Sequence, residues 1–107
     1  MQFSRLYKVK QGKKDVFKQW LAVLGTERKE EAIATFAHEN ITREVFVMFD
    51  SVDGDTYVAG FNEVNGIIKK GDHTIPINQE HSEIKRECLE PISEPGKILL
   101  DLDVNNN

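Results

Sequence analysis

The chain has 107 residues, 39% of them hydrophobic and 30% charged, with fourteen Lys and Arg against eighteen Asp and Glu for a net charge of −4. That length makes one domain with one modest core, and the acidic balance repels phosphate backbones and anionic lipid, which argues against nucleic acid and membrane surfaces as partners. A single Cys88 closes no intramolecular disulfide, the start MQFSRLYKVK lacks a signal-peptide core, and no apolar run approaches the roughly twenty residues of a bilayer helix; a cytoplasmic location is the expectation.

Residues 3 to 10 alternate, with Phe3, Arg5, Tyr7 and Val9 on one face, and predict a first strand. Beyond Gly12, Val16, Phe17, Trp20, Leu21 and Leu24 recur at helical spacing and open a helical region that runs to Glu39. A helix that long would extend about 40 Å, twice a typical strand, so a break is expected at Gly25-Thr26, with Thr26 capping a second piece that buries Ile33 and Phe36. Residues 41–50 (ITREVFVMFD) and 55–64 (DTYVAGFNEV) are rich in β-branched and aromatic types around Asp53-Gly54, which suits a hairpin turn. Residues 78 to 90 predict a helix capped by Asn78, with Glu80 in its first turn, and KILLDLDV predicts a last strand. Residues 1–104 then form the single domain and 105–107 a frayed tail.

The resulting order, β-α-β-β-α-β, is an α+β, ferredoxin-like arrangement: an antiparallel sheet with helices on one face. Residues 45 to 49 conflict with a solvated second face, since Val45, Val47 and Phe49 point one way and Phe46 and Met48 the other. An identical sheet from a second protomer is the simplest cover, and it predicts a homodimer, a dimeric α/β barrel enclosing a cavity.

The arrangement resembles the dimeric α/β-barrel superfamily, which includes cofactor-free monooxygenases and sugar mutarotases. On the stretches YKVKQGKKDVFKQWL, VFVMFDSVDGDTYV and DHTIPINQEHSEIKRECLEP the chain resembles, more narrowly, the small bacterial proteins catalogued as DUF6176. It keeps that pattern at Asp72-His73, Pro76-Ile77, Glu80-His81 and Glu87-Cys88-Leu89. It departs from it in having Asn78 in place of Asp, Thr74-Ile75 inserted, and no aromatic residue just before Glu87. The narrow family implies no reaction, and the superfamily implies several.

Four residues are candidates for chemistry: Glu44, His81, His73 and Tyr57. His81, Ile84 and Cys88 fall at i, i+3 and i+7, so His81 points inward, either as a hydrogen-bonded core histidine, the favoured reading, or as a group facing a cavity. His73 reads as a loop residue beside a turn-forming Asp72, and Cys88 as a small buried hydrophobe. Glu44 shares a strand face with Phe46 and Met48 and needs a partner or a raised pKa unless it lies at a wet edge. His73, His81 and Cys88 match no zinc pattern, DSVDGD places Val52 where a calcium loop wants an oxygen, and GIIKKGDH lacks the Lys and Ser/Thr of a phosphate loop, so no metal and no cofactor is expected. The basic run from Arg5 to Lys18 reads as a solvated face opposite Asp101 and Asp103.

Two function classes remain open at this level. One is a cofactor-free enzyme on a small organic molecule, isomerase- or mutarotase-like or monooxygenase-like, with a cavity at the sheet face. The other is a non-catalytic homodimer that binds a metabolite or serves as structure.

Overall fold

The structure, a computed structural model, describes residues 2–105. Met1, the side chains of Gln2 and Phe3 and, in the tail expected to fray, residues 106 and 107 lie outside the described set. In chain order the elements are β1 (Gln2–Val9), α1 (Lys14–Gly25), α2 (Lys29–Glu39), β2 (Ile41–Asp50), β3 (Thr56–Val64), α3 (Pro76–Cys88) and β4 (Leu89–Pro91). The fold is α+β: one four-stranded antiparallel sheet in the order β2-β3-β1-β4, with three helices.

The helical region breaks where expected, but by a different device. Thr26 does not cap α2; its hydroxyl turns back to donate to the Ala22 carbonyl at 2.7 Å, and the residue preceding α2 is Arg28. Ile33 is half exposed, and the buried residue of α2 is Thr35, whose hydroxyl donates to the Ala32 carbonyl at 2.7 Å. The helix ends at Asn40, held in the left-handed region at φ 59, a conformation Asn tolerates.

The hairpin forms as expected. Val45, Phe46 and Val47 of β2 lie opposite Phe61, Gly60 and Ala59 of β3, and Gly54, at φ 95, supplies the positive φ of the turn. Gly60 also leaves room for the Phe46 ring, since a Cβ there would sit 3.2 Å from the ring edge.

Alternation sends Arg5, Tyr7, Val9, Glu44, Phe46, Met48 and Val58 toward the helices, where Val9, Phe17, Val58, Cys88 and Leu89 make the core. Phe17 is fully buried and meets Phe46 edge to face, ring centroids 5.7 Å apart.

Two expectations at the C-terminal end fail. α3 begins at Pro76 rather than Asn78, because Pro fits the first helical position and the preceding Ile75 is extended. Asn78 therefore lies inside the helix, its amide donating to the Asp72 carbonyl at 3.0 Å, and Glu80 lies beyond the first turn, where it pairs with Arg28. The last strand is β4, not residues 97–104. Val9 pairs with Leu89 directly after α3, and Ile92 and Gly96 then donate to the carbonyls of Leu6 and Ser4 at 3.1 and 2.8 Å. Those residues occupy the outer edge of β1, so KILLDLDV finds no edge there to pair with. Acids that meet the basic N-terminal lysines are Asp55 for Lys8, Glu87 for Lys13 and Asp50 for Lys14.

Candidate functional site

Glu44 and His81 come together where β2 faces α3. The strand alternation that buries Phe46 also turns Glu44 toward the helices, and the register that buries Ile77 and Cys88 turns His81 toward the strand. His81 Nε2 lies 3.9 Å from Glu44 Oε1, too long for a hydrogen bond. The pair sits in a cleft of about 440 Å³ between the sheet, α3 and the 65–75 loop, and the cleft wall also carries His73, Asn78, Asn62 and Lys85.

The tautomer of His81 follows from its neighbour. Trp20 Nε1, a donor only, donates to His81 Nδ1 at 2.8 Å, so the neutral ring carries its proton on Nε2, the atom that faces Glu44. Trp20 stacks on the imidazole at 6.1 Å between centroids, and Phe46 packs against it edge to face at 6.0 Å. Burial among these rings, helped by the Lys85 cation, drives the His81 pKa down to about 4, which keeps the ring neutral at physiological pH. Burial does the opposite to Glu44, raising its carboxyl above the usual range against the pull of Lys85 and with the help of nearby Glu39. With its amide nitrogen turned to the carboxylate, Asn62 donates to Glu44 Oε2 at 3.2 Å and to the Phe61 carbonyl at 3.1 Å. Glu44 thus has one oxygen held and the other aimed into the cleft.

The loop that closes the cleft is built by local hydrogen bonds. Asp72 Oδ1 accepts from the backbone N–H and the hydroxyl of Thr74 at 2.9 and 2.7 Å, an Asx turn that leaves His73 exposed at the mouth. Those bonds hold the Asp72 carboxyl below its usual range. Asn40 Nδ2 donates to the Ile67 carbonyl at 2.8 Å and ties the loop to the end of α2. Gly71 lies so close to Glu39 that a Cβ would come within 2.9 Å of its carboxylate, which burial also pushes up in pKa. On the far side, Arg28 binds Glu31 and Glu80 and lies over the Trp20 ring at 5.6 Å, fastening α2 to α3 above the pair.

Three of the four candidates therefore share one cleft: Glu44, His81 and His73. Tyr57 does not. It pairs with Phe49 and Lys8 on the opposite face of the sheet, because the register that buries Val58 turns Tyr57 outward. The cleft lies on the helix-covered face, not between two open sheet faces. Trp20, Asn62 and Lys85 were missed as site residues. The i, i+4 spacing of His81 and Lys85 was readable, whereas the pairings of Trp20 and Asn62 depend on packing between elements. Cys88 is fully buried and its thiol pKa is raised by that burial, as fits a packing role. A larger depression of about 620 Å³ near Lys8, Lys10 and Lys14 has its cations already engaged, by Asp55, the Arg86 carbonyl and Asp50 respectively. Among the described residues no group of three or more His, Cys, Asp or Glu is placed to hold a metal, and no helix is long and apolar enough to cross a membrane.

Fold and site together define a small α+β protein with a carboxyl and a neutral imidazole facing each other in a polar cleft between sheet and helix. The chain belongs to DUF6176, a family of unknown function, whose sequence model matches residues 3–106. No curated protein and no solved structure matches the chain.

Proposed function

We propose that the cleft between β2 and α3 is the acid–base site of a cofactor-free enzyme that moves a proton on a small organic molecule, an isomerase- or mutarotase-like activity. The observation that carries this reading is the pair itself: a Glu44 oxygen facing a protonated His81 Nε2 across 3.9 Å of a cleft wide enough for a small substrate. In this scheme Glu44 takes a proton from a carbon or hydroxyl next to a carbonyl or ring oxygen. His81 Nε2–H donates to the oxygen on which negative charge develops, the Lys85 ammonium favours that charge, and Glu44 returns the proton at the new position. Two titratable groups shifted in opposite senses by their surroundings suit those roles: a carboxyl raised above its usual range is an effective proton carrier, and a histidine kept neutral retains the N–H to donate.

The test has two parts. Carbon-13 NMR of the Glu44 carboxyl across pH should show it titrating above the free-glutamate range, and a normal value would overturn the assignment. Proton NMR in D2O with a panel of reducing sugars and α-hydroxy ketones should show deuterium entering or anomers interconverting with the parent, and about 10²-fold less with Glu44→Gln. Ligands that shift cleft resonances without any exchange would favour the non-catalytic, metabolite-binding alternative.

A further inference from the structure

We infer that the substrate of the β2–α3 cleft is amphipathic: a hydroxy ketone whose polar head lies between Glu44 and His81 and whose unbranched alkyl arm runs into an apolar groove between α1, α2 and β2. This inference rests on the acid–base reading of the cleft and names what that site is shaped to accept. The groove has a volume of about 470 Å³ and a wall of Leu21, Leu24, Ile33, Phe36 and Phe46. Apart from Glu44, its polar side chains are Lys29, Thr42 and Arg43, all exposed, and the Thr42 hydroxyl already donates to the Glu63 carbonyl at 3.3 Å. Sugar hydroxyls entering the groove would give up water without gaining partners, whereas an alkyl arm has no polar group to strand. Ile33, 52% exposed on α2, gains a contact from such an arm.

Groove and cleft are joined. A throat of about 50 Å³ lies between them, walled by Leu24, Ala32 and Phe36, which also line the groove, and by Glu39, Asn78 and His81, which also line the cleft. Glu44 borders all three spaces, so the carboxyl that carries the proton stands at the junction. Asn62, donating to its Oε2, anchors it there with Oε1 toward His81. A throat of that size has room for a few water-sized groups at most, so it passes a chain of methylenes and refuses a ring or a fully branched carbon. The order of the ligand follows. Its oxygens meet His81 and Lys85 in the cleft, its reacting carbon lies beside Glu44, its first methylenes thread the throat, and its arm ends against Leu21, Ile33 and Phe46. Burial of that arm supplies binding energy remote from the reacting carbon, which holds the head in place for proton transfer.

The test titrates hydroxyacetone and its straight-chain homologues, up to the one with a hexyl arm, into the full chain carrying carbon-13 methyl labels on Leu and Ile. The hexyl homologue should shift the methyls of Leu21, Leu24 and Ile33 and bind at least tenfold more tightly than hydroxyacetone, with affinity rising roughly threefold to fourfold for each methylene the groove covers. Ile33→Asp, at a half-exposed position and with its fold checked by circular dichroism, should remove at least tenfold of that preference. A homologue with a tert-butyl group on the carbonyl should bind no better than hydroxyacetone. Equal affinity along the series, groove methyls that the hexyl homologue leaves unmoved, or tight binding of the tert-butyl compound would each overturn the inference. Groove methyls that shift with protein concentration alone would assign the groove to another chain and overturn it as well. The two readings fail separately: groove shifts without deuterium exchange would sink the proton-transfer chemistry and leave the amphipathic ligand in place, whereas exchange with no chain-length preference would sink the amphipathic ligand and leave the chemistry.

Discussion

The two faces of the sheet are made of similar residues and sit in opposite situations. On the helix side Val58 is 1% exposed and Phe46 lies between Phe17 and His81, whereas on the other side Phe49 and Phe61 stand half open. Neighbouring strand positions one residue apart thus meet either a packed core or no cover from their own chain. The difference teaches that the apolar pattern of a strand reports the need for burial, not which partner provides it. It also separates the roles of polar groups. On the covered face Glu44 and His81 are taken out of water and their proton affinities change, whereas the charges at the open rim stay hydrated and serve as margins.

The sharpest way to break the comparison is to hollow out each face in turn. Phe17→Ala on the covered side should cost about 3–5 kcal/mol, because a large ring is lost from a fully enclosed site. Phe49→Ser on the open side should change the stability of the isolated monomer by less than about 0.5 kcal/mol. Denaturant melts at a concentration too low for association check both, and equal losses would mean that the two faces are equally packed.

Acidity probes the covered face alone. The folded His81 pKa of about 4 lies below its ordinary 6.5, so the unfolded chain takes up a proton in that window that the folded chain refuses. Its contribution is complete above pH 6.5 and is lost as pH falls toward 4, by up to about 3 kcal/mol. Stability curves of the parent and His81→Gln between pH 7.5 and 4 should therefore converge on acidification, and parallel curves would show that the ring titrates normally.

Removing the imidazole at neutral pH has a related but smaller effect. His81→Leu leaves the Trp20 indole N–H without its acceptor and should cost about 1–3 kcal/mol in a thermal melt at pH 7.5. His73→Gln, at the exposed mouth of the same cleft, should leave the melt unchanged. Glu44 runs the other way. A carboxyl whose folded pKa is raised contributes stability at low pH that is lost as pH climbs through that value. Glu44→Gln should therefore compare more favourably with the parent at pH 7.5 than at pH 4.5 in paired melts. The smallest effect belongs to the open rim, where Arg43→Ala should change monomer stability by less than about 1 kcal/mol and lose even that in high salt.

Much of this was legible along the chain. Alternation and the Asp53-Gly54 turn place β2 and β3, and the helical spacing that aligns His81, Ile84 and Cys88 correctly turns the histidine inward. For Glu44 among apolar neighbours the sequence leaves open a partner, a raised pKa or a wet edge, and it is burial against the helices that raises the carboxyl. Tyr57 lies on the other face from Glu44, and its face follows from which side of β3 the helices cover, a choice that Val58 makes only once Phe17 packs on it. KILLDLDV reads as a strand because its composition is that of one, but strands need a free edge, and residues 89–96 reach the β1 edge first.

The sequence by itself determined the elements whose signals are local: the 3.6-residue and two-residue periods, the glycine that a positive φ demands, the break in a helix too long for its sheet. It also determined the chemistry on offer, a carboxylate, two histidines and a lone thiol. Only the tertiary structure decided that Trp20 fixes the His81 tautomer, that Asn62 and Lys85 join Glu44, and that Phe49 and Phe61 on one sheet face stand half open. These depend on groups distant in sequence competing for the same edge or the same volume, and such competition is settled by packing rather than by any local preference.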